Sequence, residues 1–294
     1  MAIKPVRKAV LPVAGLGTRV LPATKVIPKE MLPVFDRPAL HYVVDEARAA
    51  GIEHFIFVTG RNKGAIEDYF DIAYELETTL EAKGKTDLLK ALRADLPAAG
   101  ACSFVRQQAP LGLGHAVWCA RELVGDEPFA VLLPDMIMRS DPACLAEMTQ
   151  AYGQVGGNLI SVQEVPRTDV SSYGIIDPGA RKGALIEMRG MVEKPAVEDA
   201  PSNLMISGRY ILQPEIFGIL SRQAPGAGGE IQLTDAMLTL MATHAFHALP
   251  FTGEVFDTGS KTGYLRASAA MALADPEHGA EARAILQALL DAAG

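Results

Sequence analysis

Short apolar runs alternate with helical patterns through the first 165 residues, and few architectures accept that rhythm. Residues 9–11, 54–59, 103–107, 129–133 and 158–165 read as buried strands, and 38–50, 64–70, 115–123 and 141–152 as the helices between them. Strand and helix in this order predict an α/β chain built on a mostly parallel sheet with helices on both faces. In open sheets of this kind, ligands sit at the carboxyl ends of strands. The turn at Gly15 and the segment Leu133-Pro134-Asp135 both stand at such ends, so the two can share one site. Residues 72–96 are helical and charged, with Gly84 as an interruption that leaves one helix or two. Beyond residue 165 the pattern turns strand-rich and glycine-rich, through 173–177 and 184–192, and residues 277–293 form an Ala/Leu helix.

The run from Val13 to Pro33 carries the densest chemical information. Gly15 and Gly17 remove two side chains where the first strand ends, so backbone N–H groups there can approach a phosphate closely. Arg19, Lys25 and Lys29 place three cations in the same segment, and Pro22, Pro28 and Pro33 stiffen it. The dinucleotide fingerprint is excluded, because its third glycine position is Val20 and Pro22 follows. The P-loop is excluded too, for want of Gly-Lys followed by Ser or Thr. A polyanion lying against a glycine turn accounts for what remains.

Composition narrows the partners. Hydrophobic residues make up 49% and charged residues 21% of the 294, an ordinary globular balance. Residues 1–37 carry seven Lys/Arg against Glu30 and Asp36, a net of +5 in a chain whose total is −8. Such a chain suits a small anionic ligand and not a nucleic acid. The first residues lack the apolar core of a signal peptide, and no run approaches the roughly 18 apolar residues that cross a membrane. Cys102, Cys119 and Cys144 have no metal-ligand spacing, which predicts free thiols in a reducing, cytoplasmic setting.

The signature Gly15-Leu-Gly-Thr-Arg, followed by Pro28-Lys-Glu-Met-Leu-Pro, resembles that of the sugar-1-phosphate nucleotidylyltransferases, most of all their bacterial branch that joins UTP to glucose 1-phosphate. The likeness continues through Gly112-Leu-Gly-His-Ala, Leu133-Pro-Asp, Val192-Glu-Lys-Pro, Pro201-Ser-Asn-Leu, Gly208-Arg-Tyr, Gly229-Glu-Ile-Gln-Leu-Thr-Asp-Ala and Asp257-Thr-Gly, in family order from about residue 8 to about 270. It implies a Rossmann-like α/β nucleotidyltransferase sheet. It also implies one catalytic domain over 1–274, with a nucleotide-binding part to about 165 and a sugar-binding part over about 166–260. The helix of 275–294 is then a possible subunit contact, in a homo-oligomer that is a dimer or a tetramer.

The resemblance also implies roles. Arg19 and Lys29 meet the nucleoside triphosphate, and the backbone around Ala14, Gly15, Gly17 and Thr18 cradles its phosphates. Glu30 and Gln107 read the imide edge of uracil, beside Gly112, where a side chain blocks the base. Glu193 bonds glucose hydroxyls, Lys194 engages the sugar phosphate, and Gly174 and Arg209 are neighbours. Arg209 can equally serve a structural ion pair. Asp135 and Asp257 hold Mg²⁺; Met136 stands where some relatives carry a second acid. The nearest alternative is the same chemistry with dTTP, and a silent nucleotide-sugar-binding homologue is a second. The residue 72–96 segment and the Gly229 motif favour UTP, and the full set of charged positions favours an enzyme.

Overall fold

The computed structural model describes residues 3–293; Met1, Ala2 and Gly294, at the ends of the expected segments, lie outside the described residues. The chain opens with β1 (Lys8–Pro12), a two-residue hairpin of β2 (Pro33–Val34) and β3 (Arg37–Pro38), and α1 (Ala39–Ala49). Then come β4 (His54–Thr59), α2 (Gly64–Tyr69), α3 (Tyr74–Ala82), α4 (Thr86–Ala94), β5 (Cys102–Arg106), α5 (Leu113–Cys119) and α6 (Arg121–Val124). The middle runs β6 (Phe129–Leu132), β7 (Met136–Arg139), α7 (Cys144–Val155), β8 (Asn158–Glu164), β9 (Gly174–Lys182), β10 (Leu185–Glu193) and β11 (Leu204–Leu212). It closes with α8 (Ile216–Leu220), α9 (Leu233–Met241), β12 (Phe246–Pro250), β13 (Glu254–Asp257), α10 (Lys261–Ala274) and α11 (Gly279–Ala293).

Nine strands form one mixed sheet in the order β5-β4-β1-β6-β11-β8-β12-β10-β9. The parallel block that the βα rhythm predicts is β5-β4-β1-β6. From β11 onward antiparallel ladders dominate, with only β8 and β12 parallel. Alternate residues of each central strand face opposite ways. Val10, Ile56, Val58 and Val131 bury against α5, α8 and α9. Leu11, Phe55, Phe57 and Leu132 bury against α1 and α7. In α1 the buried Leu40, Val43, Val44 and Ala47 follow the spacing of an amphipathic helix, which is why its one face docks on the sheet.

Two local outcomes matter for the site. Residues 72–96 divide into α3 and α4 around Gly84, whose φ of 64° suits glycine. Away from the sheet, β13 pairs antiparallel with β7 in a register that sets Asp257 opposite Met136. Helix α10 covers that ribbon through Ala267 and Met271, packed with Ile137 and Phe256. Helix α11 buries none of its residues.

Candidate active site

The loop leaving β1 starts by donating the Val13 N–H to the Val58 carbonyl (3.0 Å), so it departs alongside β4. It then makes three short 3-10 turns, at Thr18–Val20, Ala23–Lys25 and Lys29–Met31. Gly17 has φ 67°, and a Cβ there would stand 3.1 Å from both Lys29 Cβ and Thr24 Cγ2. A Cβ on Gly15 would lie 3.7 Å from Lys29 Cε. The glycines therefore let the loop rest on its own lysine. Lys29 emerges beneath them and donates from Nζ to Asp135 Oδ2 at 2.6 Å.

Asp135 stands at the end of β6, held by the second strand pair. Thr258 donates to the Asp135 carbonyl from its N–H (2.8 Å) and its hydroxyl (3.0 Å). The β7–β13 register thus brings Asp257 beside Asp135. Arg19 bridges them, 3.7 Å from Asp135 Oδ2 and 3.8 Å from Asp257 Oδ2. A Cβ on Gly259 would meet Arg19 Nη2 at 2.5 Å and both Asp135 Oδ2 and Asp257 Oδ1 at 2.9 Å, so both carboxylates and Arg19 converge on one glycine. Burial works against the Asp135 charge, but Lys29 and then Arg19 outweigh it and hold its carboxyl below the usual range. Burial likewise opposes the Lys29 charge, and Asp135 with Glu30 outweighs it, holding the ammonium above its usual range. Among the described residues no group of three His, Cys, Asp or Glu is assembled as a metal site. Two hard carboxylates that leave the rest of the shell to ligand oxygens and water suit Mg²⁺.

Two lobes open beside this charge cluster. The first, about 350 Å³, is lined by Ala14, Gly15, Thr18, Gln107, Gly112 and Glu230 among others. Gln107 follows β5, donates its N–H to the Thr59 carbonyl (2.8 Å) and its Nε2 to the Gly112 carbonyl (3.0 Å). Gly112 has φ 104°, and a Cβ there would fall 2.8 Å from Glu230 Cβ and from the Ile231 carbonyl. Residues 230–231 lie against that glycine, a reason for it independent of the blocked base that the resemblance implies. The same segment closes the lobe through Ile231 N–H to Leu111 O (2.7 Å) and Gly114 N–H to Ile231 O (2.8 Å).

The second lobe, about 150 Å³, includes Tyr173, Gly174, Glu193, Tyr210, Gln232 and Thr234. Leu113 lines both lobes, so they adjoin. The β9–β10 ladder sets Gly174 opposite Glu193. Glu193 Oε2 accepts from the Thr234 hydroxyl at 2.7 Å, and a Cβ on Gly174 would come within 3.2 Å of that oxygen. Lys194 leaves β10 with φ 46°, a conformation few non-glycine residues adopt. Its N–H donates to the Tyr173 carbonyl (3.0 Å), and its side chain, 60% exposed, ends 3.6 Å from Glu193 Oε1. A strained backbone thus holds an exposed cation next to Glu193, which lines the lobe.

Two expectations are corrected. Arg209 is fully buried and does not face the second lobe. Its guanidinium binds Glu46 through Nε (3.0 Å) and Nη2 (2.7 Å), and donates to the carbonyls of Met136 (2.7 Å) and Leu133 (3.2 Å). It holds both sides of the turn that carries Asp135. Glu30, 1% exposed, does not line the first lobe. Its Oε2 accepts from Lys63 Nζ at 2.8 Å beneath the loop, and burial keeps its carboxyl above the usual range against the pull of Lys63 and Lys29. Sequence reasoning missed Glu46, Thr258, Gly259 and Thr234. The last three lie inside quoted motifs; Glu46 carries no signal, being one polar residue on an amphipathic helix.

The family model for nucleotidyl transferases matches residues 8–273. The chain belongs to that family. It is 51% identical over 259 residues to the UTP–glucose-1-phosphate uridylyltransferase of Komagataeibacter xylinus, covering 88% of this chain and 91% of that one. Among solved structures of similar proteins is the UTP-bound UGPase from Acinetobacter baumannii, with TM-score 0.89, 46% identity and coverage of 96% and 99%. A UDP-glucose pyrophosphorylase complexed with UDP-glucose superposes with TM-score 0.82, 44% identity and coverage of 90% and 98%. These neighbours share the mixed sheet with flanking helices of the nucleotidyltransferase fold.

Proposed function

We propose that the protein transfers the uridylyl group of UTP to glucose 1-phosphate, giving UDP-glucose and pyrophosphate. The observation that carries the reading is the cluster of Arg19, Lys29, Asp135 and Asp257, whose flanking residues Thr18 and Met136 line the first and the second lobe. The first lobe takes the nucleoside, with Gln107 at its base edge and Ala14, Gly15 and Thr18 along its phosphates. The second takes glucose 1-phosphate, with Glu193 on the sugar hydroxyls beside Gly174 and Lys194 on its phosphate. A phosphate oxygen of the sugar bonds to the α-phosphorus, and the bond from that phosphorus to the bridging oxygen breaks. Pyrophosphate leaves with the electron pair.

The nucleophile is already an anion, so no side chain has to remove a proton. The barrier is repulsion between two anions, and preorganised cations lower it. Arg19 and Lys29 neutralise the triphosphate; Lys194 carries the sugar phosphate inward. Asp135 and Asp257 hold Arg19, and Asp135 holds Lys29, which keeps both aimed. A divalent metal, which we assign as Mg²⁺, supplies charge neutralisation and alignment of phosphate oxygens when held by those two carboxylates. Among the described residues no helix is long and apolar enough to cross a membrane. The reading places the enzyme in the cytoplasm, in keeping with three unpaired cysteines. It also gives it a homo-oligomeric state, for which Ile285, Leu289 and Leu290, exposed on α11, supply apolar surface.

The test is pyrophosphate release with glucose 1-phosphate and Mg²⁺, comparing UTP with dTTP, ATP, CTP and GTP. A strong preference for UTP, lost on adding EDTA, is expected. Preference for dTTP would move the specificity to the thymidylyl reaction, and no release with any nucleotide from folded protein would refute the enzyme reading.

A further inference from the structure

Lys25, the third cation of the signature segment, takes no part in the cleft described above. It lines a separate recess of about 120 Å³ against the Gly15–Leu16 turn, together with Thr24, Arg61, Asn62 and Lys63. This volume is well below the roughly 300 Å³ at which pockets begin to hold drug-sized molecules. Three of the residues lining the recess are cations, and none is a carboxylate. Lys63 is tied to Glu30 behind it (2.8 Å). Lys25 and Arg61 are both exposed, and among the described residues neither has an ion pair or a side-chain hydrogen bond.

The location follows from the topology. Arg61 comes two residues after β4 and Gly15 three residues after β1, and these are neighbouring parallel strands. The recess therefore sits at strand carboxyl ends, where open α/β sheets place ligands. The nucleotide lobe shares Gly15 and Leu16 with the recess and Leu113 with the sugar lobe, whereas the recess and the sugar lobe share no residue. An in-line displacement needs the attacking and leaving oxygens on opposite sides of the phosphorus. Joined to the nucleotide lobe at the glycine turn and sharing no residue with the sugar lobe, the recess is open to a group that leaves away from the sugar phosphate.

The geometry points to this recess as a diphosphate subsite, with Lys25 and Arg61 receiving the pyrophosphate as it leaves and delivering it in the reverse reaction. The assignment rests on the uridylyl-transfer reading. The two cations supply charge-assisted hydrogen bonds to a polyanion that the glycine turn hands across.

The test uses Lys25→Ala, Arg61→Ala and the double variant, all at exposed positions that leave the core untouched. Pyrophosphorolysis of UDP-glucose gives KM for pyrophosphate and for UDP-glucose separately, and calorimetry measures inorganic pyrophosphate binding to the nucleotide-free protein. Each single variant is expected to raise KM for pyrophosphate about tenfold and to weaken its binding similarly, with KM for UDP-glucose and thermal stability unchanged. An unchanged KM for pyrophosphate, or an equal rise for both substrates, would overturn the assignment. So would orthophosphate binding as tightly as pyrophosphate. If the native protein turns over neither direction, the uridylyl reading falls alone. The calorimetric loss in the double variant then still decides whether the recess holds a diphosphate.

Discussion

Replacing Arg209 by methionine should both destabilise the protein and disarm its site, by separable amounts. The guanidinium makes three hydrogen bonds to Glu46, from Nε and Nη2, and two to the carbonyls flanking Pro134–Asp135. Without it the buried Glu46 carboxylate keeps only the Leu145 N–H at 3.2 Å. Breaking a buried ion pair by removing one partner costs about 3–5 kcal/mol. Against a typical total stability of about 5–15 kcal/mol, Arg209→Met should be folded but much weakened. Replacing the pair together, as Glu46→Leu with Arg209→Met, removes the stranded charge and should recover about 2–4 kcal/mol, since hydrophobic replacements of buried pairs are often neutral. Recovery should stay incomplete, because the Leu145 N–H and the Met136 carbonyl remain without these partners. Turnover should not recover, because the turn that aims Asp135 at Lys29 has lost its clamp. Urea denaturation and steady-state kcat read the two effects. A single variant that loses less than about 1 kcal/mol would refute the energetic argument. A double variant that regains wild-type kcat along with its stability would refute the positioning role.

Lys194→Ala should lower kcat by two orders of magnitude or more and leave the denaturation midpoint unchanged, since the side chain is exposed; an unaltered kcat with only a raised KM would remove its transition-state role. Asp135→Asn should abolish turnover at all Mg²⁺ concentrations while circular dichroism stays native, and normal activity at ordinary Mg²⁺ would take Asp135 out of the metal site. Gly112→Ala should cost about 1–3 kcal/mol in denaturant titration, because φ 104° and the Ile231 carbonyl at 2.8 Å both resist a Cβ. The Lys29–Asp135 pair predicts a pH signature. Asp135 is held below its unfolded value near pH 3.9, so its stabilisation is present above that pH and lost as pH falls through the lower folded value. Lys29 is held above its ordinary value, so its share is present below pH 10 and lost at higher alkaline pH. The stability gap between native protein and Lys29→Gln should thus be flat from pH 5 to 9 and shrink below about pH 4; a gap that grows on acidification contradicts the pairing.

The α/β class was legible because β1, β4 and β6 bury both faces and therefore read as continuous apolar runs ended by glycine or proline. The antiparallel half was less legible: β9 and β10 form a local hairpin, but β11 pairs with β6 and β8, and β10 with β12, far apart in sequence, and local periodicity carries no partner information. The same limit governs the site. Gly15, Thr18, Gln107 and Gly112 lie where chain-local motifs put them, at strand ends facing one lobe. Asp257 reaches Asp135 only through the β7–β13 register, which the sequence does not announce. Arg209 and Glu30 show what motif reading lacks altogether. A charged residue in a functional motif can point into the cleft or under it, and only the surroundings decide. Glu46 and Lys63, each remote in sequence, draw those two side chains beneath the surface.

The stereochemistry at the α-phosphorus separates direct transfer between the lobes from any route through a nucleotidylated side chain. UTP bearing sulfur at one nonbridging α-oxygen, in a single configuration, is turned over with glucose 1-phosphate, and phosphorus NMR assigns the configuration of the thio-UDP-glucose formed. One in-line displacement, with the sugar phosphate entering opposite the departing pyrophosphate, predicts inversion. Retention would mean two displacements through a covalent intermediate, and would contradict an account in which Arg19, Lys29, Lys194 and Asp135 only align and neutralise charge.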